Sequence, residues 1–419
     1  MSRGGRLASL YIHIPFCAKR CRYCDFYSLP AGGDYSRIRI DDSVNDYQRI
    51  NNRYDTNNVA VINQYIDAVI KEWDIYESAG MLDRRGIDTI YIGGGTPSIL
   101  DVDTWERLDK KMFSRIDRTG IKEWSIECNP ESFNMDKARA YSKSGVTRLT
   151  FGIQSLNDRE LSLCGRAHNS ARALDVLRDG RLAAMFDSTG VDIIYGLPGQ
   201  TIDTLNATLS PLLSIRHIKH LSAYELTIAE ETPFGRHGKI LPRPDEDTIA
   251  DMYRLIGNRC AERGMGRYEV SNYAIDGYES VHNKAYWSHK PYTGLGASAH
   301  SYIHPRRRGN VCDVNQYISL LSSGRKPVDF EEVLTNKELA EEMVFLGLRN
   351  TGGIDKREFE ARTGRRLCDA GSEKEARLRE YVETGLLIDS GEALIPTSKG
   401  MLFADMMALG IIQSPCFGN

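Results

Sequence analysis

The sequence predicts an α/β fold: an incomplete (β/α)6 barrel followed by a C-terminal winged-helix-like α+β domain. Three observations predict it. Short apolar β-type runs alternate with amphipathic helical patterns through the first half of the chain. Segments rich in glycine, cysteine and proline fall just after those runs. The tail reads helix, helix, helix, hairpin, helix. With 419 residues, 41% apolar and 26% charged, the chain can build a large core in two or three domains. No window approaches the ~18 apolar residues of a membrane span. Met1–Leu10 shows no apolar signal region, so a cytoplasmic protein is expected. A formal charge of −3 gives no basic field, so no nucleic-acid partner is expected.

The β-type runs are Ser9–Ile14, Ile87–Ile92, Lys122–Cys128, Thr147–Gly152, Val191–Tyr195 and His220–Leu226. Helical patterns lie between them at Ala60–Ser78, Asp103–Arg115, Met135–Ser144, Ala171–Ala184 and Thr201–Ile215. Repeated βαβ units make a parallel sheet, and six are too few to close an eight-stranded barrel. An open doubly wound sheet is the alternative, which periodicity alone does not separate. Either way, a ligand sits at the C-terminal edge of the strands. The expected division is 1–233 for the barrel, 234–330 for a segment packing across it, and 331–419 for the last domain. Leu29–Asn58 interrupts the first unit as a surface loop or a lid. The last domain has eleven basic against sixteen acidic residues from Glu331 on. It therefore reads as a packing or partner-contacting module, since a DNA-reading one should be basic.

Nine cysteines in a chain without an export signal favour thiols and metal ligands over disulfides. Six are scattered singly. Cys17, Cys21 and Cys24 form a C-x3-C-x2-C run directly after the first strand. Thiolates hold iron–sulfur clusters, and a cubane takes four ligands. Three cysteines in one tight loop hold three irons and leave the fourth open as a Lewis acid. The alternative is a zinc knuckle, which wants a fourth Cys or His at short spacing. His13 is near, but on the strand.

Gly93-Gly94-Gly95-Thr96-Pro97 removes three side chains after the second strand, so backbone N–H groups can approach a ligand. It lacks the lysine of a phosphate-binding loop. Glu127, Gln154, Arg166 and Asp192 stand at or after strand ends. A carboxylate there can hold an ammonium or a ribose diol, and an arginine a carboxylate. Each taken alone fits a surface salt bridge or cap equally well.

Together these residues resemble the radical S-adenosylmethionine superfamily. The motifs are Tyr11-Ile-His13-Ile-Pro-Phe-Cys17-x3-Cys21-x-Tyr23-Cys24, Gly93–Pro97 and Tyr195-Gly-Leu-Pro-Gly-Gln-Thr201. The branch is that of oxygen-independent coproporphyrinogen III oxidase and its haem-chaperone relatives, and the resemblance spans nearly the whole chain except Leu29–Asn58. It implies a radical-SAM-type barrel and a [4Fe–4S] cluster on Cys17, Cys21 and Cys24. The cluster's open iron would bind S-adenosyl-L-methionine, and reduction would release methionine and a 5′-deoxyadenosyl radical. By the same resemblance Tyr11, Tyr23, Gly94, Gly95, Thr96, Glu127, Gln154, Arg166 and Asp192 would contact that nucleoside. One departure is Cys164-Gly165-Arg166, where the family has a glycine before Gly-Arg. It puts the local turn in question.

Two activities remain within that branch. One is a dehydrogenase that oxidatively decarboxylates coproporphyrinogen III to protoporphyrinogen IX. The other is a haem-binding chaperone that hands its cargo to a target. Asp25-Phe26 after Cys24, the short stretch before Tyr11, and His282-Asn283-Lys-Ala-Tyr286-Trp287 resemble the chaperone side. His282 is then expected as an axial ligand of haem iron, with Tyr286 and Trp287 as flat faces for a porphyrin. A satisfied histidine with two core aromatics is the plainer alternative. His300, in a glycine-rich run, is a further candidate. The expected partners are haem, a haem-acceptor protein such as a membrane-bound respiratory protein, and a reductant protein.

Overall fold

The structure is a computed structural model describing residues 8–30, 56–237, 242–367, 376–414 and 417. The Leu29–Asn58 insertion lies almost wholly outside the described residues, as do Cys368 and Cys416. Six parallel strands follow one another in chain order. They are β1 (Ala8–Ile14), β2 (Ile87–Gly94), β3 (Glu123–Cys128), β4 (Arg148–Gln154), β5 (Ser188–Tyr195) and β6 (Ile218–Glu225). Each alternates between two faces. One face carries Leu10, Ile12, Ile14, Ile90, Ile92, Ile126, Val191 and Ile193, all buried. The other carries Tyr11, His13, Tyr91, Glu127 and Asp192.

The helices cover the apolar face. Helix α1 (Thr56–Ser78) packs on α2 (Val102–Lys111), which packs on α3 (Met135–Ser144). A doubly wound sheet would put successive helices on opposite sides; neighbour-to-neighbour packing on one side is barrel geometry. The expected Ala171–Ala184 helix is broken. Asp179-Gly180 ends α5 (Ser170–Leu177) before α6 (Leu182–Met185), and a short α4 (Asp158–Cys164) precedes them. Helix α7 (Ile202–Ser214) opens with a Thr201 capping box.

The segment after Phe234 extends the same sheet at both edges. After α8 (Pro233–His237), α9 (Glu246–Glu262) and β7 (Met265–Arg267), strand β8 (Asn272–Ile275) adds antiparallel to β6, with β7 antiparallel on its outer side. Helix α10 (Val281–Trp287) then leads to β9 (Tyr292–Leu295), parallel to β1. Antiparallel β10 (His300–Ile303), β11 (Arg306–Asn310) and β12 (Val328–Val333) follow, with α11 (Val314–Ser322) against α1. The twelve strands run β12-β11-β10-β9-β1-β2-β3-β4-β5-β6-β8-β7, an open sheet in which the two edge strands are unpaired among the described residues.

The tail has its own apolar core, from Val344, Leu348, Phe359, Leu387, Leu394, Met407 and Ile411. Helices α12 (Asn336–Gly347), α13 (Lys356–Thr363), α14 (Ala376–Glu383) and α15 (Ala404–Ile412) flank a small sheet. Its strands are β13 (Ile354–Asp355), β14 (Leu387–Asp389) and β15 (Ala393–Pro396), ordered β13-β15-β14. The hairpin turns at Ser390-Gly391, where Gly391 has φ 82°.

Candidate functional site

The cysteine loop leaves β1 at the mouth of the barrel. A two-residue ladder, Phe16–Cys17 on Leu29–Pro30, closes its base. The thiols of Cys17, Cys21 and Cys24 are free and half-buried. Thr96 donates its hydroxyl to Cys17 Sγ at 3.4 Å, and Arg166 donates to Cys21 Sγ at 3.4 Å. Burial pushes the Cys24 thiol up to about 12, reinforced by the neighbouring Cys21. Burial thus favours the neutral thiol at Cys24, and thiolate ligation there needs a nearby cation. Among the described residues no three His, Cys, Asp or Glu side chains gather around one ion-sized point.

The glycine turn after β2 is shaped by what touches it. A Cβ on Gly95 would lie 2.8 Å from the Phe16 carbonyl and 3.0 Å from Cys17 Sγ. One on Gly94, at φ 113°, would strike the His13 ring at 2.7 Å. Both positions need glycine. Gly94 N–H donates to Glu127 Oε2 at 3.1 Å, and Tyr91 donates to Oε1 at 2.7 Å. Desolvation, with the charge of Asp192 nearby, pushes Glu127 up to about 7 against those two hydrogen bonds. Desolvation likewise raises Asp192 to about 6, and its Oδ1 is buried without a partner.

Arg166 ties the loops together. It donates to Asn129 Oδ1 at 2.9 Å and to the Gly152 carbonyl at 2.6 Å, while its Nε is unpartnered. Asn129 in turn donates to Thr96 Oγ1 at 2.9 Å. Gln154 sits at φ 66° in a bulge at the end of β4, a device that re-aims a side chain. The question over Cys164-Gly165-Arg166 resolves simply. Cys164 is the buried last residue of α4, and only Gly165, at φ 76°, needs the left-handed conformation. Tyr11 sits across the strand pair from Tyr91 with stacked rings, its hydroxyl 2.9 Å from His13 Nδ1. Tyr23 packs among Cys164, Leu197 and Phe234.

The nine residues expected at the nucleoside thus lie around one mouth. Tyr91 and Asn129, not among those expected, bond to them there. Tyr91 was legible as the inward residue of β2 two positions before Gly93, and Asn129 as the residue following Cys128 at the end of β3.

His282 has the arrangement of the plainer alternative, a satisfied histidine. It is fully buried on α10, with Nδ1 2.8 Å from Thr89 Oγ1 and Nε2 2.9 Å from the Tyr286 hydroxyl. Its ring also stacks on Tyr91. Desolvation lowers it to about 4. Both ring nitrogens are engaged inside the protein. Tyr286 is half-buried and reaches a surface cleft; Trp287 ends α10, also half-buried, outside that cleft's lining. His300 is exposed against Phe330.

This fold and mouth define a class, and comparison with known proteins agrees. The profile of the Radical SAM superfamily matches residues 11–212, and that of the HemN C-terminal domain matches 334–403. The solved Escherichia coli coproporphyrinogen III oxidase HemN superposes with TM-score 0.77 at 21% identity, covering 97% of this chain and 90% of that one. "Heme chaperone HemW" of Bacillus subtilis is 32% identical, over 95% of this chain and 97% of its own length. The Mycobacterium tuberculosis protein of that name is 30% identical, over 96% and 94%. "Radical S-adenosyl methionine domain-containing protein 1, mitochondrial" of Bos taurus is 29% identical, over 98% and 88%. The chain belongs to the radical SAM superfamily, in its HemW family.

Members of that superfamily carry a [4Fe–4S] cluster and S-adenosylmethionine, and the residues present fit both. The loop brings three free thiols, Cys17, Cys21 and Cys24, to the mouth. The glycine cradle excludes every Cβ, and Asp192 Oδ1 and Arg166 Nε are buried polar atoms awaiting partners.

Proposed function

We propose that this protein is a haem chaperone: it binds haem and delivers it to a haem-acceptor protein, with the cluster mouth as a cofactor site. Full-length similarity to proteins named heme chaperone HemW is the observation that carries this reading. Cys17, Cys21 and Cys24 would hold the cluster, which supplies an electron and an open iron when present. Glu127, beside the Gly94 N–H, suits the ammonium of the nucleoside's amino acid, and Asp192 suits its ribose. Arg166 holds Cys21 and the Asn129 loop in register, so one side chain couples the cluster loop to the nucleoside face. The barrel would occupy 1–233 and the family-specific segment 234–330, with 331–419 as a partner-contacting domain. No described helix is long and apolar enough to cross a membrane. The carrier would be cytoplasmic and meet a membrane-bound acceptor.

The test is an anaerobic incubation of reconstituted protein with coproporphyrinogen III, S-adenosylmethionine and reductant, beside a transfer assay from haem-loaded protein to an apo-acceptor. Haem transfer without protoporphyrinogen is expected. Protoporphyrinogen as product would replace the chaperone by the dehydrogenase.

A further inference from the structure

Seven residues beyond His282 lies a histidine of different character. His289 follows α10 at a position where its amide bonds back to the Tyr286 carbonyl and Lys290 N–H to that of Ala285. This is the left-handed residue of a helix C-cap, where glycine is cheapest. His289 takes it at φ 53°, a conformation costing an ordinary residue roughly 1–2 kcal/mol. Arg362 holds the turn by donating to the Ser288 and His289 carbonyls.

The imidazole is buried, and its two nitrogens differ. Nε2 lies 2.8 Å from Glu342 Oε2, while Nδ1 is buried with no partner. Burial opposes ionisation of Glu342, yet hydrogen bonds from His289 and Arg307 hold its carboxyl down at about 2. An ionised carboxylate only accepts, so Nε2 donates to Glu342 and Nδ1 is the ring nitrogen left without a partner. A carboxylate behind an imidazole is the arrangement that orients a metal-binding histidine and makes it a stronger donor.

His289 lines a cleft of about 640 Å³ between β9–β11 and α12. That lies in the range of small-molecule sites, ~300–1,000 Å³. Its walls include Tyr286, Tyr292, Tyr302 and Phe345. Tyr302 meets the His289 ring edge-on at 4.6 Å. The glutamates of the wall are already committed. Glu332 and Glu342 pair with Arg307, Glu341 with Lys337, and Glu338 accepts from the Thr335 amide and hydroxyl. Lys290 stands exposed at the lip.

We propose that this cleft is the iron-porphyrin site, with His289 Nδ1 as axial ligand, the tyrosines and Phe345 as flat walls, and Lys290 as a cation for a propionate. The assignment rests on the haem-chaperone reading and places the cargo outside the barrel, away from the cluster mouth. It replaces His282 as ligand, and makes Tyr286 the one motif residue that touches both the buried histidine and the cleft.

The test uses the full chain and the variant H289G, since glycine suits the left-handed backbone and leaves a hole for free imidazole. Wild type titrated with ferric haem should show a histidine-ligated Soret spectrum. H289G should bind haem roughly tenfold or more weakly, the usual scale for weakened metal ligation. Added imidazole should restore the spectrum. Metal-free protoporphyrin IX should bind wild type and H289G alike, because the walls remain. A wild-type spectrum and affinity in H289G overturns the ligand assignment and leaves the chaperone reading standing. Absence of haem binding by wild type overturns both.

Discussion

Glu123 and Glu127 stand four residues apart on β3, on the same inner face, at opposite ends of the barrel. At the foot, Glu123 pairs with buried Arg148 at 3.1 Å. It also accepts from Ser280 Oγ and from the Val281 and His282 amides, so it caps α10. Arg148 donates onward to the Tyr278 carbonyl at 2.5 Å. At the mouth, Glu127 has two neutral donors and a like charge for a neighbour, and burial lifts it to about 7. The foot carboxylate is matched by a cation and by helix amides, and serves stability. The mouth carboxylate is left under-compensated, which is what a group waiting for a cationic ligand looks like.

Four changes would break or sharpen that contrast. The largest effect belongs to the mouth: replacing Cys17, Cys21 or Cys24 by serine should abolish bound iron and sulfide after anaerobic reconstitution. Circular dichroism should stay native, and Cys260→Ser should retain the full metal content. If any one of the three serines leaves iron content unchanged, that residue is not a ligand.

Next comes the foot. Arg148→Ala strands a buried carboxylate and should cost about 3–5 kcal/mol in urea unfolding. Arg254→Ala, which breaks an exposed pair with Asp251, should cost ~0–1 kcal/mol. Equal losses for the two would remove the distinction between foot and surface.

Glu127→Gln comes third. Charge-assisted hydrogen bonds contribute ~1.5–3 kcal/mol, so S-adenosylmethionine binding by calorimetry should weaken about 10–100-fold. Stability should hold or rise, because the wild-type carboxyl sits above its ordinary value. A folded carboxyl at about 7 against an ordinary 4.5 binds a proton that the unfolded chain releases. Its contribution to stability is therefore present at low pH and lost as pH rises through that window. Loss of stability in Glu127→Gln at neutral pH would make Glu127 a second structural carboxylate.

The smallest effect is the pH dependence of wild type. An ammonium ligand prefers the ionised carboxyl, so affinity should climb as pH passes about 7 and level off above it. A flat profile would mean that Glu127 does not meet the ligand.

Much of the mouth was legible before any coordinates. Period-two alternation in β1, β2, β3 and β5 assigns Tyr11, Tyr91, Glu127 and Asp192 to one face, and cysteine spacing marks the loop. His282 is ambiguous in the sequence because it occupies a motif position whose chemistry depends on what its nitrogens face. Its neighbours Thr89 and Tyr286 reach it only through the packing of α10 on β2. His289 was invisible for the same reason, since Glu342 lies 53 residues away in sequence.

By itself, the sequence determined the strand–helix alternation, the inner face of the barrel, the thiol loop and the glycines that let it approach. These depend on local periodicity and on the side chains that a backbone position tolerates. Only the tertiary structure decided how the sheet extends at both edges, which carboxylate is neutralised, and which histidine keeps an unpartnered ring nitrogen. Those follow from contacts between distant segments, where a charge or a ring nitrogen gains or loses its partner.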